Sequence, residues 1–325
     1  MVSLYFDKSH ITINNRLNDL SLLYDSFNLV ENPIDADVIV AARLEDLQTH
    51  IFNFRINKKY LIWCDEPLWS NIFYLLDRSQ IEFKLDDVSI KIHIMNCFTG
   101  DVLFSNHHFL TTRYNLDSLS YKQLIQKKSI NFTSRRNVAA IFTYRTGSLW
   151  NYKNALGIHG LNSKRINLAI VGAAIGHVDL YGNNWPELIR GKNAFNDNGS
   201  FLSKINFLSN YKFNLCFENT WAPFYVTEKL WQSIISGCLP IYYAGPNHTI
   251  YKDFARNSFI DAFDFENPTD LFEYLSSISE EEFFHRLNLC EVALSNAIAE
   301  SNSGIITEMC QFGYFQNKIQ FIMGT

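Results

Sequence analysis

The residues best placed to do chemistry lie between Tyr211 and Pro246, in the run YKFNLCFENTWAPFYVTEKLWQSIISGCLPIYYAGP. An apolar stretch ends near Phe217 and a loop holding Trp221 and Pro223 follows; Leu230, Trp231, Ile234 and Ile235 then recur at the spacing of one helix face. Thr227 stands where a capping hydroxyl is expected, and Gly237 where the helix stops before the next apolar run. This is the pattern of a β-α-β unit. At the start of its helix the free backbone N–H groups and the dipole favour an anion, and Lys229 in the first turn adds a full positive charge. A diphosphate fits there. Phosphate would repel Glu228, which is expected to turn toward the hydroxyls of a ribose or sugar, for which a carboxylate is a bidentate acceptor. Each residue also has an ordinary reading: Glu228 complements the dipole, Lys229 is solvated, and Tyr225 packs. The residues alone define an anion-binding β-α-β unit.

The elements that must position this unit are legible as short apolar runs alternating with helix-like stretches. VSLYF (2–6), VIVAA (38–42), YLIWC (60–64) and KIHIM (91–95) fall in the first half. NVAAIF (137–142), HVDLY (177–181), KFNLCF (212–217), LPIYY (239–243) and SFIDA (258–262) fall in the second. They are rich in Val, Ile, Leu and aromatics without strict alternation, as in parallel strands covered on both faces. After SFIDA, Asn267-Pro268-Thr269-Asp270 reads as a helix start before LFEYL. The polar, basic stretch Lys127 to Arg136 is the expected linker, giving domains of 1–130 and 131–325. A chain of 325 residues, 47% hydrophobic and 15% aromatic, is long enough for two such α/β domains, each with its own core. Ligands are then expected at the carboxyl ends of strands, in a cleft that the domains face.

Other classes lose ground. The net charge of −5 gives no general footprint for nucleic acid, so any phosphate site must be local. GxGxxG, GxxxxGK[ST] and GxSxG are missing, which counts against dehydrogenase, P-loop ATPase and α/β-hydrolase readings. Asp35-Ala36-Asp37 is formally a DxD metal-diphosphate motif, but it precedes a strand, and capping of that turn explains it better. The six cysteines have no metal-ligand or disulfide spacing and suggest free thiols in a reducing cytoplasm. No signal peptide is evident in MVSLYFDKSH, and the longest apolar run, Leu168 to Gly176, is about half of a membrane span.

FENTWAPFYVTEKLW resembles the signature of the α1,3/4-fucosyltransferases, glycosyltransferase family 10, in which a strand ending in Phe-Glu-Asn leads through a variable loop to Tyr-Val-Thr-Glu-Lys. GCLPIYYAGP and NSFIDAFDFENPTDLFEYL are similar to the family's next strands and helix, and Lys164-Arg165 ahead of VDLYG (178–182) to its Arg-bearing helix and following strand. The first 130 residues match in outline only. The resemblance implies an α/β protein of GT-B architecture, two Rossmann-like parallel-sheet domains with the nucleotide sugar in the C-terminal one. By position it implies that Arg165 and Lys229 bind the diphosphate of GDP-fucose, that Asn219 and Tyr225 assist around the phosphates and sugar, and that Glu228 takes ribose or fucose hydroxyls.

Family members invert the configuration of the transferred sugar, so a base near the acceptor hydroxyl is implied, drawn from the N-terminal domain. Glu66, in YLIWCDEP just past a strand's carboxyl end, is the expected base. Relatives carry a Ser before the Pro that is missing here, and Asp65 stays open as the alternative, as does turn capping by Glu66. The expected activity is transfer of L-fucose from GDP-fucose to a GlcNAc or glucose hydroxyl of an oligosaccharide or glycoconjugate acceptor, in an α1,3-type linkage, with a bacterial-type surface glycan or lipopolysaccharide as the expected acceptor. A different GDP-sugar donor and a silent glycan- or nucleotide-binding protein are the alternatives. No metal is expected to be obligatory, though a divalent ion could stimulate. No nucleic-acid partner and no transmembrane segment are expected; the expected location is the cytoplasm, with peripheral attachment to the inner membrane left open.

Overall fold

A computed structural model of the protein describes residues 1–9, 23–64, 79–96, 131–154, 157–189, 201–223, 225–302 and 308–324. The first unit is built from β1 (Ser3–Phe6), β2 (Asn28–Leu29), β3 (Val38–Ala41), α1 (Leu44–Phe54), β4 (Lys59–Cys64), β5 (Gln80–Leu85) and β6 (Val88–Asn96). The second runs from β7 (Arg136–Ile141) through β8 (His159–Gly160), α2 (Asn162–Ala174), β9 (Val178–Tyr181), α3 (Phe201–Leu208), β10 (Tyr211–Leu215) and β11 (Thr220–Trp221). It continues with α4 (Glu228–Ile235), β12 (Leu239–Tyr242), β13 (Ile260–Asp261), α5 (Pro268–Ser277) and α6 (Glu280–Asn302). A last helix, α7 (Glu308–Gly324), groups with the first unit.

The first sheet has the order β2-β1-β3-β4-β6-β5 and is parallel except for β5, which forms an antiparallel hairpin with β6. Side chains alternate across it with the period of two that a strand imposes. Leu4, Phe6, Val38, Val40, Leu61 and Trp63 face α7 through Phe315, Ile319 and Ile322. Ile39, Ala41, Tyr60, Ile62, Ile92 and Ile94 share the other core with Leu47 and Ile51 of α1. Phe315 is the anchor: fully buried, it stacks on Trp63 at 4.5 Å between centroids and meets Phe27 edge-on at 5.9 Å. This corrects the expected division at residue 131. Nothing local in the sequence of this C-terminal segment says which sheet it covers. Within the formal DxD motif, Asp37 accepts from the Ser3 backbone N–H at 2.8 Å, tying the approach of β3 to β1, whereas the turn is capped by Asn32, whose side chain accepts from Ile34 N–H, and not by the motif as expected.

The second sheet, β13-β12-β10-β7-β9, is parallel throughout. Its order reverses between β7 and β10, because the chain passes from β7 to β9 on one side and returns to β10 on the other. In open α/β sheets such a switch point opens a crevice at the strands' carboxyl ends. Helix α4 ends as the sequence demands: Gly237 lies at φ 70°, its N–H bonds Ile234 O at 2.9 Å, and Cys238 N–H bonds Ser233 O at 2.9 Å. That sharp stop sends the chain directly into the fully buried β12, so α4 starts and finishes at fixed points relative to β10.

Candidate functional site

The chain leaves β10 through Cys216, Phe217 and Glu218 and enters β11, which pairs antiparallel with β8 just ahead of α2. This small ladder fixes the first turn of α2 against the end of β10. Asn219 O accepts from Leu161 N–H at 2.8 Å and from Asn162 Nδ2 at 3.3 Å, while Tyr152 and Thr220 hydroxyls bond at 2.7 Å beneath it. Arg165, one turn in, is 4% exposed. Its Nη2 donates to Asn162 Oδ1 at 2.7 Å, its Nη1 reaches Phe217 O at 3.4 Å, and its guanidinium lies 4.5 Å from the centre of the Phe142 ring at the end of β7. Burial lowers its pKa to about 10, with Arg145 acting the same way and Glu218 opposing, so it stays charged at neutral pH. Its Nε and the Asn219 Oδ1 are both buried without a hydrogen-bond partner. Leaving buried polar groups unpaired costs about 1–3 kcal/mol each, and a ligand with acceptor and donor groups would relieve both.

On the other side of the same strand end, Glu218 is 2% exposed and gathers the start of α4 around its carboxylate. Thr227 N–H donates to Oε1 at 2.7 Å, the Thr227 hydroxyl lies 2.8 Å from both oxygens, and Lys229 Nζ is 3.0 Å from Oε2. Lys229 Nζ also donates to Thr227 Oγ1 at 2.7 Å. The expected helix cap is therefore corrected: Thr227 occupies the cap position, but its hydroxyl makes no capping bond to the helix backbone and belongs to Glu218 instead. The anion that the helix start favours is, in part, supplied by the protein. Burial raises the pKa of Glu218, with Lys229 and the Thr227 hydrogen bond opposing.

Glu228 lies beside this group, 19% exposed, with Oε1 3.5 Å from Lys229 Nζ. Burial works to raise its pKa, yet Lys229 and Lys204 outweigh it and the carboxyl stays below its ordinary value. Tyr225 is 1% exposed, its carbonyl accepts from the Tyr242 hydroxyl at 3.1 Å, and it lies near enough to Arg165 to act on it electrostatically. Arg165, Asn219, Tyr225, Glu228 and Lys229 are thus brought to one end of one sheet. Glu66 and Asp65 fall outside the described residues.

Two contributors had no assigned role from sequence: Phe142, whose ring seats Arg165, and Glu218, the centre of the Lys229 cluster. A carboxylate just past the largely apolar run KFNLCF was the available sign for Glu218. A cavity of about 510 Å³ opens at the ends of β10, β12 and β13, lined by Lys164, Phe217, Tyr243, Phe263 and Glu266 among others. That lies within the range of small-molecule sites, about 300–1000 Å³. Among the described residues no cluster of three or more His, Cys, Asp or Glu side chains could hold a metal ion, and no helix is long and apolar enough to cross a membrane.

Two Rossmann-like α/β units of this kind make up the GT-B architecture, and the fold matches a crystal structure of an α1,3-fucosyltransferase with GDP-fucose. That match has a TM-score of 0.50 at 18% identity, covering 88% of this chain and 81% of the other. Residues 161–311 match the sequence model of glycosyltransferase family 10 (fucosyltransferase), C-terminal region. It is 45% identical over 73 residues to the alpha-(1,3)-fucosyltransferase FucT of Helicobacter pylori, covering 22% of this chain and 15% of the relative. It is 32% identical over 123 residues to the human 4-galactosyl-N-acetylglucosaminide 3-alpha-L-fucosyltransferase FUT6, covering 38% of this chain and 31% of the relative. The matched stretches thus span less than a third of these curated relatives.

Proposed function

We propose that the protein is an inverting fucosyltransferase that moves L-fucose from GDP-fucose to a hydroxyl of a GlcNAc or glucose unit in a glycan, in an α1,3-type linkage. The observation that carries this reading is the pair Arg165 and Lys229, held at the carboxyl end of β10 within the stretch that matches the family. In this reading the acceptor hydroxyl attacks C1 of fucose on the face opposite GDP. The new C1–O bond forms as the bond to the β-phosphate oxygen breaks, and the hydroxyl proton passes to a carboxylate, Glu66 or its neighbour Asp65. Arg165 and Lys229 take up the charge that develops on the departing diphosphate, and Glu228 accepts from sugar hydroxyls. Two fixed cations do the work a metal would do, so transfer is expected to persist in excess EDTA.

The test is GDP release and product NMR with GDP-fucose and lactose or N-acetyllactosamine, alongside a panel of other GDP-sugars. Fucosylated product supports the reading. Transfer from a different GDP-sugar alone would replace the donor, and GDP binding without turnover on any glycan would leave a binding protein. The acceptors proposed are surface glycans, lipopolysaccharide included.

A further inference from the structure

We propose that Glu218 is a positioning residue of the donor site: a buried internal anion that holds the Lys229 ammonium in place before the donor arrives and then competes with the donor diphosphate for it. This rests on the donor reading above. The geometry is specific. A lysine has three ammonium donors on a flexible four-carbon stem. Two directions are fixed here, toward Glu218 Oε2 at 3.0 Å and Thr227 Oγ1 at 2.7 Å. Thr227 is itself anchored to the same carboxylate through both its N–H and its hydroxyl, at 2.7 and 2.8 Å. The ring of contacts ties the end of β10 to the first turn of α4, so Lys229 is set by the sheet rather than by its own rotamers. Preorganised charge of this kind stabilises a transition state without reorganising during the reaction. Glu218 also acts electrostatically on Arg165, and so lies within reach of both cations.

Glu218 therefore has two effects of opposite sign on the donor. Its negative charge weakens the attraction of the site for a diphosphate, and its hold on Lys229 strengthens what that site does in the transition state. A residue that merely supports the fold would move both quantities the same way. Glu218→Gln keeps an acceptor for Thr227 and removes the charge. With the full chain, GDP is titrated calorimetrically, and kcat and KM are measured with GDP-fucose and N-acetyllactosamine. The expected result is GDP binding about three- to tenfold tighter, with kcat lowered roughly 10- to 100-fold. In a Lys229→Met background the same Glu218→Gln change should leave GDP affinity within about twofold, because non-additivity marks residues that act through one another.

Parallel loss of GDP affinity and kcat in Glu218→Gln, or an equal effect on GDP affinity with Lys229 replaced, overturns the proposal. Should Glu218→Gln fail to fold, Glu218→Asp is read instead, since its carboxylate keeps the charge and stops about 1.5 Å short of Lys229. The expectation is then a kcat reduced at least about fivefold with GDP affinity held within about twofold; equal losses overturn the proposal. Wild-type protein that binds neither GDP nor GDP-fucose refutes the donor reading and this inference with it, whereas GDP binding with parallel losses refutes this inference alone.

Discussion

Arg165 and Lys229 reach one strand end from two helices, and each is held by a different device: Arg165 by a ring, an amide and a carbonyl, Lys229 by a buried carboxylate. Replacing either with Ala should lower turnover by roughly 10² to 10³, as does deleting one preorganised oxyanion donor, measured as kcat with saturating GDP-fucose. Lys229→Ala carries a further consequence. It strands the Glu218 carboxylate, 2% exposed, without its counter-charge, which lowers stability at neutral pH. Burial raises the pKa of Glu218 while Lys229 opposes that rise, so Lys229→Ala raises it further and makes the charged form costlier to hold. The stability deficit of Lys229→Ala should therefore be largest above that raised pKa and shrink as pH falls through it, a trend that urea unfolding at several pH values would read. The sequence made Lys229 and Arg165 legible through motif and helix position. It left Glu218 without a role because a carboxylate after an apolar strand can turn inward or outward, and only the placement of Thr227 and Lys229 decides which.

At the scale of elements, the strands expected from apolar runs all formed, and the helix starting at Pro268 follows Asn267 as read. The hairpin strand β5 was missed. Its alternation of Ile81, Phe83 and Leu85 with polar residues marks an antiparallel edge strand, unlike the unbroken runs of its parallel neighbours. The C-terminal segment, included in the expected second domain of 131–325, groups as α7 with the first unit, because no local rule links it to strands two hundred residues earlier. Its anchoring can be tested directly. Phe315→Ala should destabilise the first unit by about 3–5 kcal/mol, the usual range for a buried Phe, in denaturant titrations. His93 of β6, 1% exposed and edge-on to Phe321 of α7 at 6.0 Å, has its pKa lowered to about 4 by burial, then by Lys318, Lys91 and Lys59. A depressed pKa means the fold excludes the charged form, so this contribution is complete above pH 6.5 and is lost as pH falls toward 4. His93→Gln should flatten that slope.

Across the whole molecule, two α/β units with ligand chemistry at strand ends were legible from the periodicity, whereas the order β13-β12-β10-β7-β9 and its switch point were not. Strand order depends on which helices cover which face, and that is settled by packing between distant segments. The net charge of −5 says nothing about the donor, because a diphosphate is met by a few local cations rather than by the surface as a whole. If the donor site lies where Arg165 and Lys229 place it, GDP at about 100 times its dissociation constant should stabilise its unit by about 2.7 kcal/mol. Hydrogen exchange should then slow in α2 and α4 and stay unchanged in β1 to β6. The most direct test of the central claim is a crystal structure of the protein soaked with GDP-fucose. The account predicts the diphosphate within hydrogen-bond distance of Arg165 and Lys229, with C1 of fucose turned toward Glu66 or Asp65. A diphosphate bound away from both cations would contradict it.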